Sequence, residues 1–165
     1  MKNFFIGFAL IFSLLVFATG FMGNPMSRPV AVGEKIHKFE VSNQYGAAKI
    51  GDTKSHYTLL TFWNSTEADS RVACWTYDNA ISVDSDMNGL IDFVAINIDE
   101  SPVLFNEIVM HDRLNDKNQF RLNEKNAAEV RSVFKLDEGT GSVLIGRDGK
   151  IIAFNPTVDQ LKALN

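Results

Sequence analysis

Apolar and polar positions alternate between two rhythms along this chain. Tyr57–Trp63 is dense in β-formers and reads as a buried strand. Residues 90–98 form a second apolar run, bounded by Gly89 and Asp99, and read the same way. Between them, residues 65–83 carry Ala73, Tyr77, Ala80 and Ile81 at helical spacing, with Cys74 at the edge of that stripe. Ser101 followed by Pro102 marks a helix start, because a missing N–H costs nothing in the first turn. That helix is expected to run to about His111. Residues 114–126 read as polar and irregular, and 127–134 as a short helix. Ser142–Ile145 and 150–154 read as strands joined by Gly146-Arg147-Asp148-Gly149, a hairpin turn, and 157–164 as a closing helix. Residues 39–41 and 47–50 are short extended segments around a turn at 43–46. Strands alternating with helices predict an α/β fold with parallel pairing, and the terminal hairpin adds antiparallel strands.

The first residues follow a different grammar. Lys2 precedes a run from Phe4 to Phe21 with no charged side chain, followed by Gly23. This is the order of a secretory signal, and the run is also nearly long enough to cross a bilayer. Residues 1–24 are therefore expected to be a signal peptide or an N-terminal membrane anchor, 25–32 a linker, and 33–165 one domain. Either way, the domain is expected to be exported to the periplasm or cell envelope. Any contact with a membrane would run through the N-terminal segment alone.

Composition narrows the function classes. The 165 residues are 45% hydrophobic and 22% charged, an ordinary globular balance. The formal net charge is −4. With Lys2 removed, 15 basic side chains face 20 acidic ones. An acidic domain without a Lys/Arg cluster argues against a nucleic-acid partner. Cys74 is the only cysteine, so no internal disulfide can form. It is either a buried core thiol or, if exposed, a group that could pair with a partner.

The segment Tyr57-Thr58-Leu59-Leu60-Thr61-Phe62-Trp63-Asn64-Ser65 resembles the strand leading into the active site of periplasmic thiol–disulfide oxidoreductases of the thioredoxin-like group. Val94-Ala95-Ile96-Asn97-Ile98-Asp99-Glu100 resembles that family's next strand. Phe134 and Leu136, followed by Val143-Leu144-Ile145 and Asp148-Gly149-Lys150-Ile151, resemble the segment around its cis-proline. The resemblance spans roughly residues 33–164 and implies a thioredoxin-like fold, with a mixed central sheet and helices on both faces. The departures concern the chemistry. The family's F-W-x-x-W-C-x-x-C-R pattern places its two cysteines at Glu67 and Ser70, and its cis-proline at Thr140. Dithiol exchange needs a thiolate nucleophile and a second, resolving thiol. A carboxylate and a hydroxyl supply neither. A peroxiredoxin pattern fails in the same way, because Thr66 is followed by Glu67 instead of a cysteine.

These residues imply no catalytic set and no cofactor. The expected function is a non-catalytic binding or scaffold role. Trp63, Glu67, Asp69, Ser70 and Thr140 would form a small surface for a cation, a basic peptide or an envelope protein. The alternative is a thiol-dependent oxidoreductase or antioxidant acting through Cys74. Glu67 and Asp69 have a plainer use as well, since carboxylates at a helix start favour the helix dipole. Residues 84–92 read D-x-D-x-N-G-x-I-D, matching the start of a calcium loop with Asp84, Asp86, Asn88 and Asp92 as oxygen donors. The position that should supply a bidentate carboxylate is Ala95, so this remains a weak metal candidate beside an ordinary polar turn. His37, His56 and His111 are scattered without ligand spacing.

Overall fold

The computed structural model describes residues 28–52 and 54–164. The expected signal or anchor segment, 1–24, lies outside them. Among the described residues no helix is long and apolar enough to cross a membrane.

The chain runs β1 (Phe39–Asn43), β2 (Gly46–Ile50), β3 (Tyr57–Trp63), α1 (Ala68–Val83), α2 (Ser85–Leu90), β4 (Ile91–Asn97) and α3 (Pro102–His111). A 3₁₀ turn (Asp116–Asn118) leads into β5 (Gln119–Leu122), followed by α4 (Glu124–Phe134), β6 (Ser142–Ile145), β7 (Ile151–Phe154) and α5 (Val158–Lys162). Seven strands form one sheet in the order β2-β1-β5-β4-β3-β6-β7. β3 runs parallel to β4 and β4 to β5, while β6 and β7 add on antiparallel. β3 and β4 carry apolar residues on both faces because the sheet is covered on both sides.

Two cores result from the strand alternation. Leu60, Phe62, Val94 and Ile96 face α4 and pack with Val130, Leu136 and Val143. Leu59, Trp63, Phe93 and Ala95 face the opposite layer and meet Cys74, Tyr77 and Ile81 of α1, Phe105 and Val109 of α3, and Leu161 of α5. The expected α/β architecture, a mixed central sheet with helices on both faces, is the one observed.

Three local expectations are corrected. Residues 114–126 are not irregular throughout: β5 lies inside them and pairs with both β4 and β1. Phe120 and Leu122 pack on the α4 side, while Gln119 and Arg121 take the other face. Residues 84–92 do not wrap an ion-binding loop. They form α2 and the start of β4, and the Asp84 side chain caps α2 by accepting from Asp86 N and Met87 N. The stripe of α1 is also shifted: Cys74 sits at its centre, in line with Ser70, Tyr77, Asp78 and Ile81. Ahead of the first strand, Val30 packs against the α4-side core and its N–H donates to Val133 O.

Candidate functional site

The end of β3 delivers residues 64–67 to one rim of the sheet, and the loop before β6 delivers Thr140 to the same rim. Asn64 folds the first loop by accepting from the Thr66 N–H and hydroxyl at 2.8 and 2.6 Å. Ser65 N donates to Asp99 Oδ2 at 3.1 Å, and the Ser65 hydroxyl donates to the same carboxylate. Asn97 Nδ2 donates to that oxygen at 2.8 Å, so the ends of β3 and β4 are clamped together. Ser70 is buried. Its hydroxyl accepts from Asn64 N at 3.0 Å and donates to Glu67 O at 3.0 Å.

Glu67 occupies the N-cap position of α1, but its side chain does not cap the helix. It reaches across the rim instead, and Thr140 Oγ1 donates to Glu67 Oε2 at 3.0 Å. The Thr140 loop is held from below by Phe62 N, which donates to Gly141 O at 2.9 Å. A side chain at position 141 would place a Cβ 2.9 Å from Asn155 Oδ1, the atom that accepts from Ser142 N. Glycine is what lets these strands close up. All peptide bonds among the described residues are trans, that of Thr140 included. Beside Thr140 lies a cleft of about 260 Å³, lined by Phe62, Phe134, Leu136, Phe154 and Asn155 among others.

The five residues expected to share a binding surface therefore separate. Glu67, Asp69 and Thr140 lie at the surface, and Glu67 and Thr140 touch. Ser70 holds the loop from inside. Trp63 is fully buried and stacks at 5.9 Å on Phe105, so its expected contact with a ligand is corrected to a role in the core. Strand parity explains this: Trp63 falls on the same face as Leu59, beneath α1 and α3. Sequence reasoning did not assign the cleft residues Phe134 and Phe154 to the site, because the fold alone brings them to Thr140.

Cys74, on the inner face of α1, is fully buried. Its thiol donates to Gln119 Oε1 at 3.6 Å. Burial, with the Asp78 carboxylate adding to it, pushes this thiol far above its ordinary pKa, so the thiolate is not populated. Asp78 is itself buried; desolvation raises its pKa, partly offset by donors Asn115 N at 2.7 Å and Asn118 Nδ2 at 3.1 Å.

The calcium candidates do not converge. Asp84 is occupied in capping α2, and Asp92, on β4, pairs with Lys54 at 3.0 Å and His56 at 3.4 Å. Among the described residues no group of three or more His, Cys, Asp or Glu side chains is placed to hold a metal ion. His37, His56 and His111 each lie beside a carboxylate, of Glu129, Asp92 and Asp112 respectively.

No protein-family model and no curated protein matches the chain in sequence. Solved structures do match it in shape. A thioredoxin-like protein from Parabacteroides distasonis superimposes with a TM-score of 0.68 at 26% identity, covering 84% of this chain and 96% of that one. The thioredoxin domain of a thiol-disulfide oxidoreductase from Bacteroides vulgatus gives 0.69 at 18% identity, covering 82% and 95%. A thiol:disulfide interchange protein from a Bacteroides species gives 0.66 at 18%, covering 82% and 88%. With β3 entering the helix start at Glu67 and the Thr140 loop beside it, this chain has the thioredoxin-like fold.

Proposed function

We propose that this chain is an exported thioredoxin-fold protein that performs no dithiol exchange and uses the rim around Glu67, Asp69 and Thr140, with the adjoining cleft, to hold a basic extended peptide of an envelope protein. The observation that carries this reading is the state of sulfur in the chain. Its single thiol is buried, far up in pKa and hydrogen-bonded inward, while a carboxylate and a hydroxyl face each other at the rim. Electron exchange between disulfides needs an accessible thiolate and a second sulfur. The rim offers hydrogen-bond acceptors and negative charge, which favour a cationic side chain, and the cleft offers apolar walls for a neighbouring one. Export rests on the charge-free run from Phe4 to Phe21 and on the resemblance to periplasmic oxidoreductases.

Binding of capped, extended heptapeptides to the full chain tests this reading. A Lys-containing peptide is expected to bind, and its Glu counterpart is not. Glu67→Gln should weaken the Lys peptide about threefold to tenfold, the scale of one partly exposed ion pair. Equal binding of both peptides, or no effect of Glu67→Gln, would overturn it. Thiol chemistry through Cys74 is the competing reading, and a disulfide-reduction rate lost in Cys74→Ser would establish it.

A further inference from the structure

A second concavity lies on the opposite face of the sheet from the Thr140 cleft. It encloses about 280 Å³ between α3, the β1–β2 turn and the 3₁₀ turn before β5. Phe105, Val109 and Met110 supply an apolar wall; Gln44, Asp116 and Gln119 supply polar atoms. The polar rim is braced, since Asp116 Oδ2 accepts from Gln44 Nε2 at 2.9 Å and from the Tyr45 hydroxyl at 2.7 Å. At the floor, Gln119 is 1% exposed. Its carbonyl oxygen is taken by the Cys74 thiol, which turns the amide so that Nε2 points away from sulfur. That Nε2 is buried and has no hydrogen-bond partner among the described residues. An unpaired buried donor is costly, on the order of 1–3 kcal/mol, and Gln119 is one of the residues lining a cleft large enough to hold an acceptor.

We propose that this cleft is a second binding site that takes an apolar side chain with its adjoining neutral amide, whose carbonyl oxygen accepts from Gln119 Nε2. The wall formed by Phe105, Val109 and Met110 receives the apolar part. The Asp116 carboxylate at the rim repels an anion, so the acceptor is a neutral carbonyl and not a carboxylate. Cys74 acts here as a positioning residue: it is a protonated donor that fixes the orientation of the reading amide.

The test is a titration of the ¹⁵N-labelled full chain with N-acetyl-leucine methylamide, read at the Gln119 side-chain amide, with N-acetyl-leucine carboxylate as the charged comparison. The neutral probe is expected to shift the Gln119 signal saturably. The carboxylate should bind at least about tenfold more weakly, and Gln119→Met should weaken the neutral probe by a similar factor. Met110→Glu changes an exposed position at the cleft and places a second carboxylate there without disturbing the core; it should weaken the neutral probe as well. Several results would overturn the proposal. They are an absence of saturable shift, equal affinity for the two probes, unchanged affinity in either variant, or a long-lived water on Gln119 Nε2 that saturating probe fails to displace.

Discussion

Thr140 Oγ1 donates to Glu67 Oε2 at 3.0 Å, joining the helix-start loop to the loop before β6 across 73 residues of sequence. The contact is exposed, so its contribution to stability is small, and it orients a carboxylate that would otherwise swing freely. In a double-mutant cycle of Glu67→Gln and Thr140→Val, urea unfolding should show each variant within about 1.5 kcal/mol of the parent, with a coupling of about 0.5–1 kcal/mol. A coupling of zero would show that the rim is not built on this pair.

The Cys74 thiol should be silent to an aromatic disulfide reagent in the native protein and should react fully in denaturant. Cys74→Ser keeps a donor for Gln119 Oε1 but exchanges a soft apolar atom for a hydroxyl in the core. It should lower unfolding stability by about 1–2 kcal/mol without unfolding the chain. Rapid labelling of the native thiol would contradict the buried placement.

Trp63 and Trp75 divide the fluorescence. Trp63 is fully buried, whereas Trp75 is 50% exposed on the outer face of α1. Iodide should quench the parent partially and Trp75→Phe hardly at all. Trp63→Ala removes an indole packed on Phe105 and should cost about 3–5 kcal/mol.

Two carboxylates set opposite pH trends. Asp112 accepts from Arg71 Nε at 2.8 Å and from Arg71 Nη2 at 2.6 Å, and those bonds hold its pKa below the ordinary range. A depressed folded-state pKa gives stability that is present above the unfolded value and lost as pH falls through the folded one. Asp112→Asn should therefore cost about 1–2 kcal/mol at neutral pH and converge with the parent in acid. Asp78 behaves in the reverse sense. Its raised pKa, caused chiefly by burial, gives stability that is present below the unfolded value and lost as pH rises through the folded one. Urea midpoints measured from acid to neutral pH check both signs.

The sheet centre was readable from sequence because β3 and β4 are buried on both faces and show as unbroken apolar runs. β5 was hidden by its length of four residues and by Gln119 and Arg121, polar side chains that face the inner layer. The alternation with Phe120 and Leu122 was its only mark. In α1, Ser70 and Asp78 broke the apolar period, which pushed Cys74 to the edge of a stripe it actually centres. Asp, Asn and Gly at 84–89 serve a turn, an ion loop or a capped helix equally well, and only the Asp84 cap distinguishes them. At the site, the family resemblance placed Glu67 and Ser70 at the two cysteine positions and Thr140 at the cis-proline position. The hydrogen bond between Glu67 and Thr140 depends on how two distant loops meet, which no local pattern encodes. The burial of Trp63 could have been foreseen from strand parity with Leu59.

Sulfur chemistry decides the account. Reduction of insulin disulfides by the full chain, with dithiothreitol as electron donor and Cys74→Ser alongside, measures it directly. The predicted result is a rate equal to the dithiothreitol background for both proteins. A faster rate in the parent that disappears in Cys74→Ser would contradict the claim that no thiol of this chain reaches a disulfide.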